Sequence, residues 1–313
     1  MENRHQEIKL IPYKIEGLQT TADNQIPYGV QQCNAPEIWE TGEKGSGIVV
    51  AVVDTGIDFE HPDLKKNIIG GRNFTREGWG HDNFEDKNGH GTHVAGTIAA
   101  NGKIKGVAPE SKILACKVLN RHGSGNYFSI IEGIRYATQW TGQNNEKVRV
   151  INMSLGGAYD EKNLEAAILD ACSKGIVVVV ASGNEGDADE STYEQSYPAL
   201  YNEVITVAAC DEKGKISYFS NNSLQVDVTA AGVDVLSCYP SKTYARLSGT
   251  SMAAPHISGM IALLINLGEK KFKRTLTESE IYGLLTKICC SLGFEASTEG
   301  HGLPDLTAFF EKC

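Results

Sequence analysis

The sequence contains no run of consecutive apolar residues approaching the ~20 needed to cross a bilayer, so no membrane span is expected. It has no basic run either. Its 29 lysines and arginines are outnumbered by 39 acidic residues, for a net charge of −10. That balance disfavours nucleic acid and anionic membranes as partners. The first ten residues are polar and charged, without the apolar core and small-residue cleavage site of a secretory leader. A cytoplasmic location is therefore expected. No Cys-x-x-Cys pair occurs among the eight cysteines, which are scattered and in part set in apolar segments, such as Cys116. Metal or redox use of that kind is excluded, and free, reduced thiols are expected. His90 and His93 are three apart, but no His-Glu-x-x-His pattern accompanies them.

What is present is ordinary globular material. A chain of 313 residues, 41% hydrophobic and 22% charged, can bury a normal core. Residues 1–22 read as a separate extension. Its apolar part is short, and Pro12 keeps it from being helical. Regular elements are expected after Gly47. Ile48–Val53 is a β-branched run suited to a strand buried on both faces, and 113–119, 148–153, 176–181 and 204–208 repeat the pattern. Helical periodicity lies between them at 128–140 and 164–172, with Gly175 as a stop, and again at 251–267 and 278–289. Strands alternating with helices predict an α/β fold, a mainly parallel central sheet with helices on both faces. The stretch from about 291 to 313 is less regular and reads as a tail or contact surface.

Sites in such a sheet form at the carboxyl ends of strands. Asp54, Ser154 and Asn184 fall at such ends. Asp54 ends a buried strand in Val-Val-Asp-Thr-Gly. His90 lies between Gly89 and Gly91 in Asn-Gly-His-Gly-Thr-His. Ser251 stands in Gly-Thr-Ser-Met-Ala-Ala-Pro-His at the start of a long helix, where N–H groups and the dipole favour developing negative charge. Asn184 occupies a glycine-flanked turn in Ala-Ser-Gly-Asn-Glu-Gly. A serine hydroxyl needs a base to become a nucleophile, histidine suits that role, and a carboxylate fixes the imidazole tautomer. Taken singly, each has a plainer reading: a turn aspartate, a core histidine, a helix cap, a turn asparagine. The ordered set Asp, His, Asn, Ser is far more specific.

These motifs resemble those of the subtilisin family over residues from about 23 to at least 270, most closely the intracellular subtilisins. The resemblance implies a subtilisin-like serine endopeptidase domain at 23–313. Asp54, His90 and Ser251 would be its triad, and Asn184 with the Ser251 N–H its oxyanion hole. It also implies two peptide-pairing walls. One comprises Gly123, Ser124 and Gly125, with Tyr127 bordering a distant pocket. The other comprises Ser154, Leu155, Gly156 and Gly157, with Ala181, Ser182 and Gly183 nearby. Broad specificity follows, with Glu185 able to accept a basic residue. Where family members hold a tight Ca²⁺, residues 100–107 are shorter and carry lysines, and Asp63 lacks partner ligands. The tight site is expected to be absent. A weaker structural Ca²⁺ on carbonyls of Ala199, Tyr201 and Val204 is expected instead, and the acidic loop 185–194 reads as a solvated face. Leu10, Ile11, Pro12 and Tyr13 resemble a segment that lies across the active site and inhibits it, with Pro12 keeping the scissile carbonyl from Ser251. A zymogen activated by losing roughly the first 17–22 residues, and a homodimer, are further implications. The competing class is a catalytically silent peptide-binding or signalling protein on the same fold.

Overall fold

A computed structural model describes residues 7–78, 80–189 and 192–313. Two strands open the described chain, β1 (Glu7–Leu10) and β2 (Lys14–Gln19). After them come β3 (Val49–Asp54), β4 (Ile68–Asn73), β5 (Lys112–Lys117) and the short β6 (Ser124–Asn126). Next are β7 (Val148–Met153), the two-residue β8 (Leu155–Gly156), β9 (Val177–Ala181) and β10 (Ile205–Cys210). Then come β11 (Val226–Ala231), β12 (Val235–Tyr239) and β13 (Thr243–Ser248), with the two-residue strands β14 (Cys289–Cys290) and β15 (Leu303–Pro304) after them.

Seven of these form one sheet in the order β11-β10-β9-β7-β3-β5-β4, and every neighbouring pair is parallel. The expected α/β architecture is what the chain adopts. The β-branched composition of β3 has a direct cause. Val50 and Val52 enter one core, while Val49, Ala51 and Val53 enter a second core on the other face. Helices His90–Ala99 and Thr250–Phe272 cover the first face. Helices Tyr127–Gln139 and Lys162–Ser173 cover the second. Gly175, at a φ of +77°, stops the last of these as the pattern predicted.

Several expectations need correction. The helix Thr250–Phe272 spans 23 residues at mean hydropathy 1.3, long and apolar enough to cross a membrane by length and composition. Scattered Ser, His and Pro break its run of consecutive apolar residues, which hid it from the run-length reading. Its apolar window is 94% buried, so it is the central helix of the first core. Regular structure also begins before Gly47, with β1, β2 and the helices Tyr28–Gln32 and Ala35–Glu40. The strands β4, β11, β12 and β13 carry no sustained apolar run and were not visible in the sequence pattern. The last stretch is folded: Cys289–Cys290 pairs with Leu303–Pro304, and Leu306 and Phe309 are buried in the first core. All eight cysteines are free thiols.

Candidate active site

The carboxyl ends of β3, β7 and β9 gather the polar groups singled out by sequence. Asp54 is the last residue of β3 and is fully buried. The Thr55 N–H donates to its Oδ1 at 2.7 Å. His90 opens its helix, and its Nδ1 lies 2.8 and 2.9 Å from the two Asp54 oxygens. An acceptor there requires Nδ1 to carry a proton, and in the neutral imidazole Nε2 is then the nitrogen with the free lone pair. Nε2 is buried and has no hydrogen-bond partner among the described residues.

Glycines permit this approach. A Cβ on Gly91 would stand 2.2 Å from the Gly56 carbonyl oxygen and 3.2 Å from Asp54 Oδ1. A Cβ on Gly89, whose φ is +109°, would strike the Tyr239 ring at 2.3 Å. Asp86 ties the turn together. Its carboxylate accepts from the N–H groups of Asn88, Gly89 and Thr92 and from the hydroxyls of Thr55 and Thr92. Sequence reasoning passed over Asp86, although an Asp three residues before a Gly-His step is a turn-organising signal.

Ser251 is the second residue of the long helix and is fully buried. Its Oγ donates to the Ser154 carbonyl at 3.3 Å and makes no hydrogen bond to His90. Pro255, four residues on, has no N–H to offer the Ser251 carbonyl. The Ser154 hydroxyl takes that carbonyl at 3.0 Å instead. Asn152 donates to Ser154 Oγ and accepts from Ser258, so a buried polar chain fixes the helix start against β7. Asn152, Ser258 and Pro255 were not identified from sequence as contributors. Lys117 was also missed. It is buried, and its ammonium donates to the Thr55 carbonyl at 2.5 Å and lies 3.3 Å from Glu77.

Asn184 follows the end of β9. Its Oδ1 accepts from the Thr250 N–H and hydroxyl, which turns Nδ2 towards the cleft. There Nδ2 donates to the Pro12 carbonyl at 2.5 Å. Tyr13 then lays its ring against His90, with centroids 5.0 Å apart, and donates to Asn88 Oδ1. Burial pushes the Tyr13 phenol up, so the hydroxyl stays neutral. Pro12 was expected to keep the scissile carbonyl from Ser251; its own carbonyl lies on the Asn184 amide, between the flanking strands β1 and β2.

The two walls are brought together around the same segment. β1 is the middle strand of an antiparallel sheet, pairing Ile8 with Gly125, Lys9 with Ser124 and Gly156, and Leu10 with Leu155. The Leu10 N–H donates to the Gly123 carbonyl at 2.8 Å. Ile8 is fully buried beside Tyr127 and Gly157, and Ile11 is buried against Gly156. Ala181 is buried, Ser182 Oγ has no hydrogen-bond partner among the described residues, and Gly183 at φ +120° leads into Asn184. Glu185 is committed locally, accepting from the Asn184 N–H and from Asn221 Nδ2.

The cation expectations divide. The Asp63 carboxylate accepts from the Ile104 N–H and the Tyr244 hydroxyl, so protein donors satisfy Asp63 Oδ2 where a tight Ca²⁺ would need oxygen ligands. The residues at that place do not fit the ion. Ala199 lies in the turn 198–200, Tyr201 follows it and Val204 follows the next turn at 202–203; the Ala199 carbonyl accepts from Thr206 Oγ1 at 2.6 Å. Part of the acidic loop, residues 190 and 191, lies outside the described residues.

A profile described as the subtilase family matches residues 45–295. The chain is 48% identical over 307 residues to the "Major intracellular serine protease" of Bacillus subtilis, covering 96% of this chain and 94% of that protein. It is 48% identical over 309 residues to an "Intracellular serine protease" of Paenibacillus polymyxa, covering 97% and 92%. With "Subtilisin DY" of Bacillus licheniformis the figures are 41% over 286 residues, covering 90% and 98%.

Proposed function

The chain belongs to the subtilase family, and on that premise we propose how this subtilisin-like serine endopeptidase works: it cleaves through Ser251, His90 and Asp54, and its own residues 10–13 hold it inactive. The observation that carries this reading is a filled cleft over an assembled site. Asp54 holds His90 Nδ1, while Pro12 occupies the Asn184 amide and Tyr13 covers the imidazole.

With the segment gone, the Ser251 side chain turns from the Ser154 carbonyl towards His90 Nε2. Nε2 takes the hydroxyl proton as Oγ attacks the substrate carbonyl, and Asp54 stabilises the imidazolium. The new oxyanion accepts from Asn184 Nδ2 and from the Ser251 N–H at the helix start, where the dipole adds to the hydrogen bonds. The imidazolium returns its proton to the leaving amine, leaving an acyl-enzyme. Water, deprotonated by Nε2, then releases the acid. Gly123–Gly125 and Ser154–Gly157 hold the substrate backbone as they hold β1, which favours broad specificity.

The protein acts inside the cell, as the names of its relatives say of them. It is made as a zymogen and works as a homodimer. A weak structural Ca²⁺ on the carbonyls of Ala199, Tyr201 and Val204 contributes stability and takes no part in the chemistry. The test compares full-length protein with protein processed to lack roughly its first 17–22 residues. A serine-directed phosphonate should label the processed form quickly, the full-length form slowly and Ser251→Ala not at all. Equal labelling of full-length and processed protein removes the inhibitory role, and no labelling of either removes the triad.

A further inference from the structure

The segment that fills the cleft continues beyond it. After Tyr13 the chain forms β2, which adds to β13 as an antiparallel strand. Ser248 pairs with Lys14, Leu247 with Ile15, Arg246 with Gly17, Ala245 with Leu18 and Tyr244 with Gln19. The register shift between Arg246 and Leu247 leaves Glu16 as an extra residue. β13 is held on its other side by β12. Once β2 leaves, β13 therefore offers a free strand edge running away from Ser251 and Asn184.

How β2 is held says what that edge reads. Ile15 is 48% exposed and Leu18 64% exposed, so side-chain burial contributes little. Gly17 has nothing within 4 Å of where a Cβ would stand, so its place admits any side chain. Main-chain pairing is the dominant contact. The exception is Glu16, whose carboxylate accepts from Ser248 Oγ at 2.8 Å. Beside it lies a cavity of about 570 Å³ bordered by Ile216, Tyr218, Phe219 and Val233. The contrast with β1, anchored by a fully buried Ile8, is one of kind.

We propose that the outer edge of β13, Thr243–Ser248, is a strand-adding surface for the part of a polypeptide substrate that follows the cleavage point. The occupant is an extended, unfolded chain in the place of residues 14–19, with an acidic side chain favoured in the place of Glu16. This rests on the reading of residues 10–13 as the occupant of the cleft. An exposed edge presents unpaired N–H and C=O groups, and a chain already crossing the catalytic residues is delivered to it directly. Loosely folded proteins should accordingly be cut far better than short peptides ending just past the scissile bond.

The test uses enzyme processed from the full chain. Peptides share one half before the scissile bond and carry tails of one to nine residues after it. kcat/KM should climb by about tenfold between the shortest tails and seven residues, the yield of roughly two net backbone hydrogen bonds, and then level off. N-methylation of alternate tail amides should remove the gain. A tail with Glu in the place of Glu16 should be preferred over Gln, and Ser248→Ala should abolish that preference. A chromogenic amide without any tail residue reports the triad alone. If that amide is cleaved but the length curve is flat beyond the third residue, the β13 proposal fails while the catalytic reading stands. A concentration-dependent dimer that abolishes the length gain shows that a second copy takes the edge, and also overturns it.

Discussion

Replacing Ile8 by alanine removes the side chain of β1 that is completely buried, and it perturbs only the covered state of the enzyme. Ile8 lies in the second core, with Tyr127 and Gly157 as its immediate surroundings. Losing a buried isoleucine side chain to alanine costs about 2–5 kcal/mol. The lower end sets the smallest effect that the substitution should have. About 2 kcal/mol corresponds to a roughly thirtyfold rise in the fraction of molecules with the cleft uncovered. The assay is the rate at which a fluorescent phosphonate labels Ser251, with mass spectrometry confirming that the chain is still intact. Full-length Ile8→Ala should label about thirtyfold faster than full-length wild type. Processed enzyme, which has lost residue 8, labels at one rate whichever parent it came from. If Ile8→Ala labels at the wild-type rate while processed enzyme labels fast, β1 does not hold the cleft shut through this side chain.

Three further outcomes follow from the same geometry. Asp54→Asn withdraws the carboxylate from His90 Nδ1; kcat on a short amide should fall by about 10⁴ with KM little changed, and a fall below tenfold would refute the orienting role. Gly91→Ala drives a Cβ to 2.2 Å from the Gly56 carbonyl; in a Ser251→Ala background it should lower stability by about 1–3 kcal/mol in urea unfolding, whereas an unchanged midpoint would mean that the turn is plastic. His256 is fully buried, and burial depresses its pKa to about 4 from an unfolded value of 6.5. Below pH 6.5 the unfolded chain therefore binds a proton that the folded chain refuses, so stability is full above 6.5 and falls as pH drops towards 4. Between pH 7.5 and 5 this contributes about 2 kcal/mol, and His256→Gln in the Ser251→Ala background should shrink the acid-induced loss by that amount in thermal unfolding. An undiminished loss assigns the acid sensitivity elsewhere.

The β-branched runs that became β3, β7, β9 and β10 were legible because a strand buried on both faces is apolar at most of its positions. β4, with its Gly-Gly step, and β13, with no sustained apolar run, were not, since pairing partners rather than composition make them strands. Gly175 was readable because the left-handed turn glycine permits at a helix end is local, and the helices because their apolar period is. The buried polar chain Asn152–Ser154–Ser258 was not, because its members lie up to 106 residues apart.

The sequence by itself determined the α/β architecture and the residue types of the site, since strand and helix periods and the Asp, His, Asn and Ser motifs are written in consecutive residues. It also set residues 1–22 apart as an extension, within which the family resemblance pointed to residues 10–13. Only the tertiary structure decided that the Pro12 carbonyl lands on Asn184, that Asp86 and Lys117 hold Thr55 and Gly89, the neighbours of Asp54 and His90, and that residues 14–19 extend along β13. The physical reason is that hydrogen-bond partners and strand registers are relations between distant segments. No local pattern encodes them until the chain has closed around its core.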